Sequence, residues 1–323
     1  MINKMICGDA IIELRKIPDN SIDCIVTSPP YWAVRDYGRK NQIGLEEHPQ
    51  EYIDKIVEIM KECKRVIKPT GTIWLNLGDS FYTKSGSGQG NNFLEKHKEM
   101  DGRKGRLKKA QKETRGKFKS NWLQSKEKLL IPYRVAIRCQ DELGLILRND
   151  IKWVKQWVNW KTKDSAGTSM PTSVKDRLNT NSESIFLFVK DKKYYFNLNA
   201  VRIPHKNNSI IRMKYNWNGH REPMSSYYGL QPGKMCHAKG KNPGDCLMFP
   251  LEPSRQKHYA MFPKTLPDFC IKAGCPRKGV VLDPFIGSGT TGIVARRENR
   301  NFMGIDINNN FIKIANKRIN NEN

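Results

Sequence analysis

The chain has 323 residues, 57 Lys+Arg against 32 Asp+Glu, a net charge of +25 and 38% hydrophobic residues. That length suggests about two domains, or one large domain with insertions, and is enough to bury a core without a disulfide or metal staple. The hydrophobic fraction excludes general disorder, and the longest purely apolar run, Ile185–Val189, is far short of the roughly 20 residues that a membrane-spanning helix needs.

The first ninety residues alternate strand and helix. Ile22–Val26 reads as a short buried strand ending at Ser28-Pro29-Pro30. Residues 50–67 place Tyr52, Ile53, Ile56, Ile59, Met60, Cys63, Val66 and Ile67 at helical spacing. Pro69-Thr70-Gly71 then breaks the pattern, and Thr72–Leu77 is the next strand. Residues 84–128 carry 14 Lys+Arg against 5 Asp+Glu and open on a Gly/Ser run; their composition predicts a basic, mobile insertion. A helix is expected from Ile131, and strands at Asp150–Val154 and Ser184–Val189. The second of these is expected to turn back through residues 190–193 into Tyr194–Phe196 as a hairpin. Residues 201–254, with 8 Lys+Arg against 3 acids and interleaved Tyr and Trp, read as a loop-rich inserted module. Val280–Leu282 is a strand, 290–298 a helix, Asn301–Ile305 a strand and 308–320 a closing amphipathic helix. Helix and strand in alternation indicate an α/β sheet. The organisation is therefore 1–83, 84–128, 129–200, 201–254 and 255–323.

The eight cysteines form no C-x-x-C pair, which argues against a metal site and for free thiols in a reducing compartment. The basic excess favours a polyanion, because neutralising phosphates releases condensed counterions. The N-terminus carries no secretory pattern.

Two motifs carry chemistry. Asp283-Pro284-Phe285-Ile286-Gly287-Ser288-Gly289-Thr290 lies where a strand ends and a helix begins, a place suited to a nucleotide-like ligand. Asp306 closes the following strand and is placed to accept hydrogen bonds from ribose hydroxyls. The pattern is G-x-G with no following Lys, which argues against a P-loop and weakens a dinucleotide reading. The second motif, Ser28-Pro29-Pro30-Tyr31, combines a hydroxyl, a proline carbonyl and an aromatic face at a rigid strand end. That set can accept hydrogen bonds from an amino group and stack a planar ring.

With both motifs in this order, the chain resembles the β-class DNA amino-methyltransferases that use S-adenosylmethionine. Gly8-Asp9-Ala10, Thr27–Trp32, Arg35–Gly38, Leu77–Ser80, Asn149–Lys155, Met170-Pro171, Asp176-Arg177, Asn242–Asp245, Phe262-Pro263 and Asp283–Thr291 extend the likeness over nearly the whole chain. The resemblance implies a doubly wound, mainly parallel seven-stranded Rossmann-like sheet with an antiparallel hairpin and an inserted target-recognition module in 201–254. It implies Ser28, Pro29, Pro30 and Tyr31 as the catalytic set. It assigns Asp9, Phe262, Pro263, Asp283, Phe285, Gly287, Ser288, Gly289, Thr290 and Asp306 to S-adenosylmethionine, with no metal. Asp9 reads equally as a helix cap and Phe262 equally as core. Trp153 and Lys155 would lie near a flipped base, although a Trp in a strand is more often core.

Serine at the first motif position is usual for cytosine-N4 enzymes of this family, so the expected activity is N4 methylation of cytosine. The expected partners are double-stranded DNA and a cognate restriction endonuclease, in a prokaryotic cytoplasm and away from membranes. Arg202, Arg212, Lys214, Asn216, Asn218, His220 and Arg221 are candidate base-edge readers. The Ser182-Glu183 pair departs from the family's His-Glu, which leaves that position without an assigned role. An adenine-N6 enzyme of the same fold and a non-catalytic DNA-binding module remain as alternatives; a nicotinamide enzyme is a distant third.

Overall fold

The computed structural model describes residues 2–34, 36–39, 41–82, 123–167, 174–209, 237–250 and 262–321. Most of the basic insertion, Met170-Pro171 and the candidate readers from Arg212 to Arg221 lie outside the described residues.

The strands are β1 (Lys4–Cys7), β2 (Ile22–Thr27), β3 (Ile67–Leu77), β4 (Ile146–Val154), β5 (Gln156–Val158), β6 (Ser165–Gly167), β7 (Ser182–Val189), β8 (Cys246–Met248), β9 (Val280–Asp283) and β10 (Asn301–Asp306). The helices are α1 (Ala10–Arg15), α2 (Pro49–Val66), α3 (Ile131–Asp141), α4 (Thr265–Gly274), α5 (Thr290–Arg297) and α6 (Asn309–Asn321). One sheet runs β1-β10-β9-β2-β3-β7-β4-β8, and β5 and β6 form a separate two-stranded ribbon. The run from β1 to β3 is parallel, β7 is antiparallel to both β3 and β4, and β8 adds to β4 in parallel.

The central strands are mostly apolar and buried because both of their faces are covered. Successive β2 residues alternate between two cores. Ile25 joins Leu14, Ile56, Met60 and Val135 from α1, α2 and α3. Cys24 and Val26 join Leu266, Ile271, Ile293 and Val294 from α4 and α5 on the other face. That two-residue alternation, met by helices on both sides, is what makes the fold doubly wound.

Three details differ from the sequence expectation. Among the described residues the main sheet has eight strands rather than seven, the extra one being the three-residue β8 at its edge. The expected hairpin arm at Tyr194–Phe196 is not a strand, because β7 already has β3 on one edge and β4 on the other. Tyr195 N–H donates instead to the Thr70 carbonyl (2.8 Å). Finally, β3 starts at Ile67, and Pro69-Thr70-Gly71 sits inside it as an irregularity: Ile22 pairs with Ile67, but Cys24 pairs with Thr72.

The topology also fixes where a ligand fits. From β9 the chain winds outward through β10 to one edge, whereas from β2 it winds through β3 the other way. The crevice beyond the C-terminal ends of β9 and β2 is therefore the switch point, where open α/β sheets bind ligands. The two chemical motifs begin at those two strand ends.

Candidate active site

On the β9–β10 side the loop is built by two carboxylates. Asp283 is 1% exposed and is saturated by the chain itself. Its Oδ1 accepts from Thr27 Oγ1 (2.8 Å) and Phe285 N (3.0 Å), and its Oδ2 accepts from Thr291 Oγ1 (2.6 Å). Burial pushes its carboxyl up to about 6, against the lowering effect of these bonds. Asp283 thus shapes the loop instead of presenting a free carboxylate. Asp306 accepts from Gly287 N (3.0 Å) and Asn308 N (2.7 Å) at the end of β10, and burial raises its carboxyl too.

The two glycines of the loop differ. Gly287 has φ +52°, and a Cβ there would meet nothing closer than the Phe285 carbonyl at 3.9 Å. Gly289 has φ +89°, and a Cβ there would sit 2.8 Å from that of Ala315 on α6. The first glycine borders open space and the second lets two helices close. Ser288 is buried, and both its carbonyl and its hydroxyl accept from Arg318 (2.7 and 2.6 Å). Thr290 is buried in the first turn of α5, and Phe285 packs partly buried against the core. Phe262 packs against the α4–α5 core and Pro263 is buried. Asp9 caps α1, its Oδ1 accepting from Ile11 N (2.9 Å) and Ile12 N (3.1 Å). The sequence motifs do not point to Arg39, whose guanidinium donates to Asn308 Oδ1 (2.9 Å) beside Asp306.

On the β2 side the geometry is a network of side chains. Tyr31 Oη donates to Glu183 Oε2 (2.7 Å), and Ser28 Oγ donates to Tyr31 Oη (3.4 Å). Asn76 Nδ2 lies within donating distance of Ser28 Oγ, Tyr31 Oη and Glu183 Oε2, at 3.2, 3.0 and 3.1 Å. Lys155 Nζ pairs with Glu183 Oε1 and stands 4.7 Å over the Trp153 ring. Burial, and then the Glu183 charge, hold the Tyr31 phenol well above its ordinary value, so it remains a donor. A Cβ on Gly78 would lie 2.4 Å from the Tyr31 ring, so one edge of that ring is fixed against bare backbone. Asn76 Oδ1 is buried and has no hydrogen-bond partner among the described residues.

Sheet register assembles this network. Asn76 of β3 is opposite Ile185 of β7, and Trp153 of β4 is opposite Glu183. No sequence motif marks Asn76 and none gives Glu183 a role; only strand pairing brings them to Ser28. Trp153 is core, its Nε1 donating to the Phe249 carbonyl (2.9 Å) and its ring stacking on Phe249 at 5.4 Å. Trp32 is also buried, donating to the Glu46 carbonyl (3.0 Å). Among the described residues no group of three His, Cys, Asp or Glu is placed to hold a metal, and no helix is long and apolar enough to cross a membrane.

The chain is 34% identical over 316 residues to the Type II methyltransferase M.SmaI of Serratia marcescens, covering 98% of this chain and 90% of that protein. It is 33% identical to the Type II methyltransferase M.Cfr9I of Citrobacter freundii, covering 98% and 87%. In fold it is similar to the PvuII DNA methyltransferase (cytosine-N4-specific), with a TM-score of 0.61 at 19% identity over 100% of this chain and 91% of that one. Residues 22–317 match the DNA methylase family model, and the chain belongs to that family: it is a DNA methyltransferase.

Proposed function

We propose that the chain methylates the exocyclic N4 amine of a cytosine flipped out of duplex DNA, taking the methyl group from S-adenosylmethionine. In this reading it is the modification enzyme of a prokaryotic restriction–modification pair, acting in the cytoplasm beside a cognate endonuclease. The observation that carries the reading is the bond from Thr27 Oγ1 to Asp283 Oδ1 (2.8 Å). It ties the residue before Ser28-Pro29-Pro30-Tyr31 to the first residue of the glycine loop, so an amine acceptor and a cofactor loop share one crevice. The Type II methyltransferase relatives support the modification role.

The chain's own groups suit S-adenosylmethionine. Asp306 offers a carboxylate for ribose hydroxyls, and Gly287 leaves room that any side chain would fill. Asp283, Phe285, Ser288, Gly289 and Thr290 shape that cradle, with Phe262 and Pro263 behind it and Asp9 at the neighbouring strand end. When bound, the cofactor supplies an electrophilic methyl on a sulfonium. The amine of cytosine is a poor nucleophile because its lone pair is conjugated into the ring. Acceptors for both of its N–H bonds favour a pyramidal nitrogen and free that pair. Ser28 Oγ and the Pro29 carbonyl are the acceptors at hand, with Asn76 Nδ2 orienting Ser28 Oγ (3.2 Å), while Pro30 stiffens the turn and Tyr31 bounds the ring.

The proton shed after transfer has a route: from the amine to Ser28 Oγ, from Ser28 O–H to Tyr31 Oη (3.4 Å), and from Tyr31 O–H to Glu183 (2.7 Å). Nucleoside mass spectrometry of DNA incubated with the protein and S-adenosylmethionine tests the reading. N4-methylcytosine is expected, and N6-methyladenine alone would overturn it.

A further inference from the structure

Between β4 and β7 the chain makes a short ribbon that the methyl-transfer reading leaves unexplained. β5 and β6 pair antiparallel, Trp157 facing Ala166 and Val158 facing Ser165. Their loop, Asn159–Asp164, is tightly tied. Asn159 Oδ1 accepts from Lys161 N (3.1 Å) and Thr162 N (3.3 Å), while Asn159 N donates to the Asp164 carbonyl (2.8 Å). At the head of this ordered turn stands Trp160, 79% exposed, with Lys163 Nζ 3.4 Å from its ring centroid. Trp157 and Val158 are 42% and 48% exposed. An isolated two-stranded ribbon is marginal in water, and this one spends two tryptophans without burying either in the described core.

Its root is in the active site. Lys155, which pairs with Glu183, immediately precedes β5. Lys155 N donates to the Asn181 carbonyl (2.8 Å), and Asn181 Nδ2 donates to Gln156 Oε1 (3.2 Å). Gly167 closes the ribbon so tightly on the Lys155 carbonyl that a Cβ would lie 2.1 Å from it. Trp160 is five residues beyond Lys155, within roughly 17 Å of it along an extended arm. The ribbon therefore starts at the edge of the pocket that would receive a flipped base.

We propose that this ribbon enters the duplex and that the Trp160 indole takes the stacking place vacated by the target base. A two-stranded ribbon fits a DNA groove. An aromatic face stacks on any base without reading it, and flipping a base leaves a gap whose neighbours have lost their stacking partner. Lys163 over the ring and Lys161 next to Trp160 in sequence outweigh Asp164 in the same turn and leave the tip net positive, as a phosphate-lined partner requires. Duplex DNA is therefore a better fit to this tip than an apolar protein surface. The inference rests on the methyl-transfer reading for the flipped base, but not on which base is methylated.

The test compares wild type, Trp160→Ala and Trp160→Phe on two duplexes containing the site that the wild type methylates. One is fully paired; the other has an abasic site opposite the target, so that the target base is already loosened. Trp160→Ala is expected to lower kcat/KM about tenfold to a hundredfold on the paired duplex and by less than about threefold on the opened one, with Trp160→Phe close to wild type. Equal losses on both duplexes, or no loss on either, would overturn the proposal. So would a loss of self-association in sedimentation with an unchanged ratio between duplexes, which would make the ribbon a contact between copies of the chain. If the wild type transfers no methyl group to DNA, the activity reading fails. The affinities of the same variants for intact and abasic duplex then decide the ribbon's part by the same ratio.

Discussion

The two sides of the crevice are held by different means. On the proposed cofactor side the bonds are largely to backbone and mostly within one strand–loop–helix stretch: Phe285 N to Asp283, Gly287 N and Asn308 N to Asp306, with Thr291 Oγ1 and the distant Thr27 Oγ1 completing Asp283. On the proposed target side, apart from the Ser28–Tyr31 bond three residues apart, the bonds join side chains distant in sequence: Ser28 and Tyr31 with Asn76 and Glu183, and Lys155 with Glu183. A loop held by its own backbone forms wherever its strand and helix form. A network spread over β2, β3, β4 and β7 exists only when three strand registers are correct, and removing one member leaves buried polar partners behind. The target side should therefore respond more sharply to single substitutions, and should do so without disturbing the cofactor.

Glu183→Ala makes the largest break. It leaves the Lys155 ammonium and the Tyr31 hydroxyl without their acceptor, and kcat is expected to fall about a thousandfold. Cofactor affinity, measured by calorimetry, should stay within about threefold of wild type. Glu183→Gln keeps an acceptor for Tyr31 and should recover part of the loss. A parallel fall in cofactor affinity would show that the two sides are one unit.

Asp283 bridges the sides, and its pH dependence sharpens the comparison. Its carboxyl is raised to about 6 in the folded protein, against about 3.9 unfolded. Between these values the folded state binds more protons. The group's stabilising contribution is thus fully present below about pH 4 and is lost as pH rises through about 6, a change of about 3 kcal/mol. Asp283→Asn keeps the shape and removes the titration. The stability of this variant relative to wild type, from urea unfolding, should rise by about 3 kcal/mol between pH 4 and pH 7. A flat difference would mean that the carboxyl is not held in the buried state its surroundings impose.

Asp306→Ala reverses the Glu183 result. Losing a charged acceptor costs about 2 kcal/mol, so cofactor affinity should drop roughly thirtyfold while kcat at saturating cofactor stays near wild type. A kcat loss as large as the affinity loss would place Asp306 in the chemistry instead.

This contrast also explains what the sequence revealed. The glycine loop was legible because its parts are contiguous and its strand, turn and helix each have a local signal. The helix over Pro49–Val66 was legible from the spacing of Ile53, Ile56, Met60 and Cys63, all buried against the sheet. Ser28 and Tyr31 were visible as a motif, but Asn76 and Glu183 were not, since nothing local marks a strand residue that faces a site. The ribbon at Gln156–Gly167 has no local signal, its arms being only Gln-Trp-Val and Ser-Ala-Gly. The expected hairpin failed for a reason no local pattern carries, namely that both edges of β7 were already taken.

The last comparison separates two residues that one motif presents as equivalent. Alanine at Gly289 must adopt φ near +89° and push its Cβ to 2.8 Å from Ala315, on a helix whose Ile312, Ala315 and Ile319 are already buried. Left-handed strain and overpacking together should cost about 2–3 kcal/mol, read as a lower unfolding midpoint. Alanine at Gly287 meets only the strain of φ +52°, with its Cβ in open space, so stability should fall by about 1 kcal/mol. Cofactor affinity should move the opposite way: nearly unchanged in Gly289→Ala once folded, and weakened about tenfold in Gly287→Ala, where the new methyl occupies room reserved for the ligand. If both substitutions weakened the cofactor equally, Gly289 would border the cofactor as well as packing against α6. If neither did, the open space over Gly287 would not be the cofactor's.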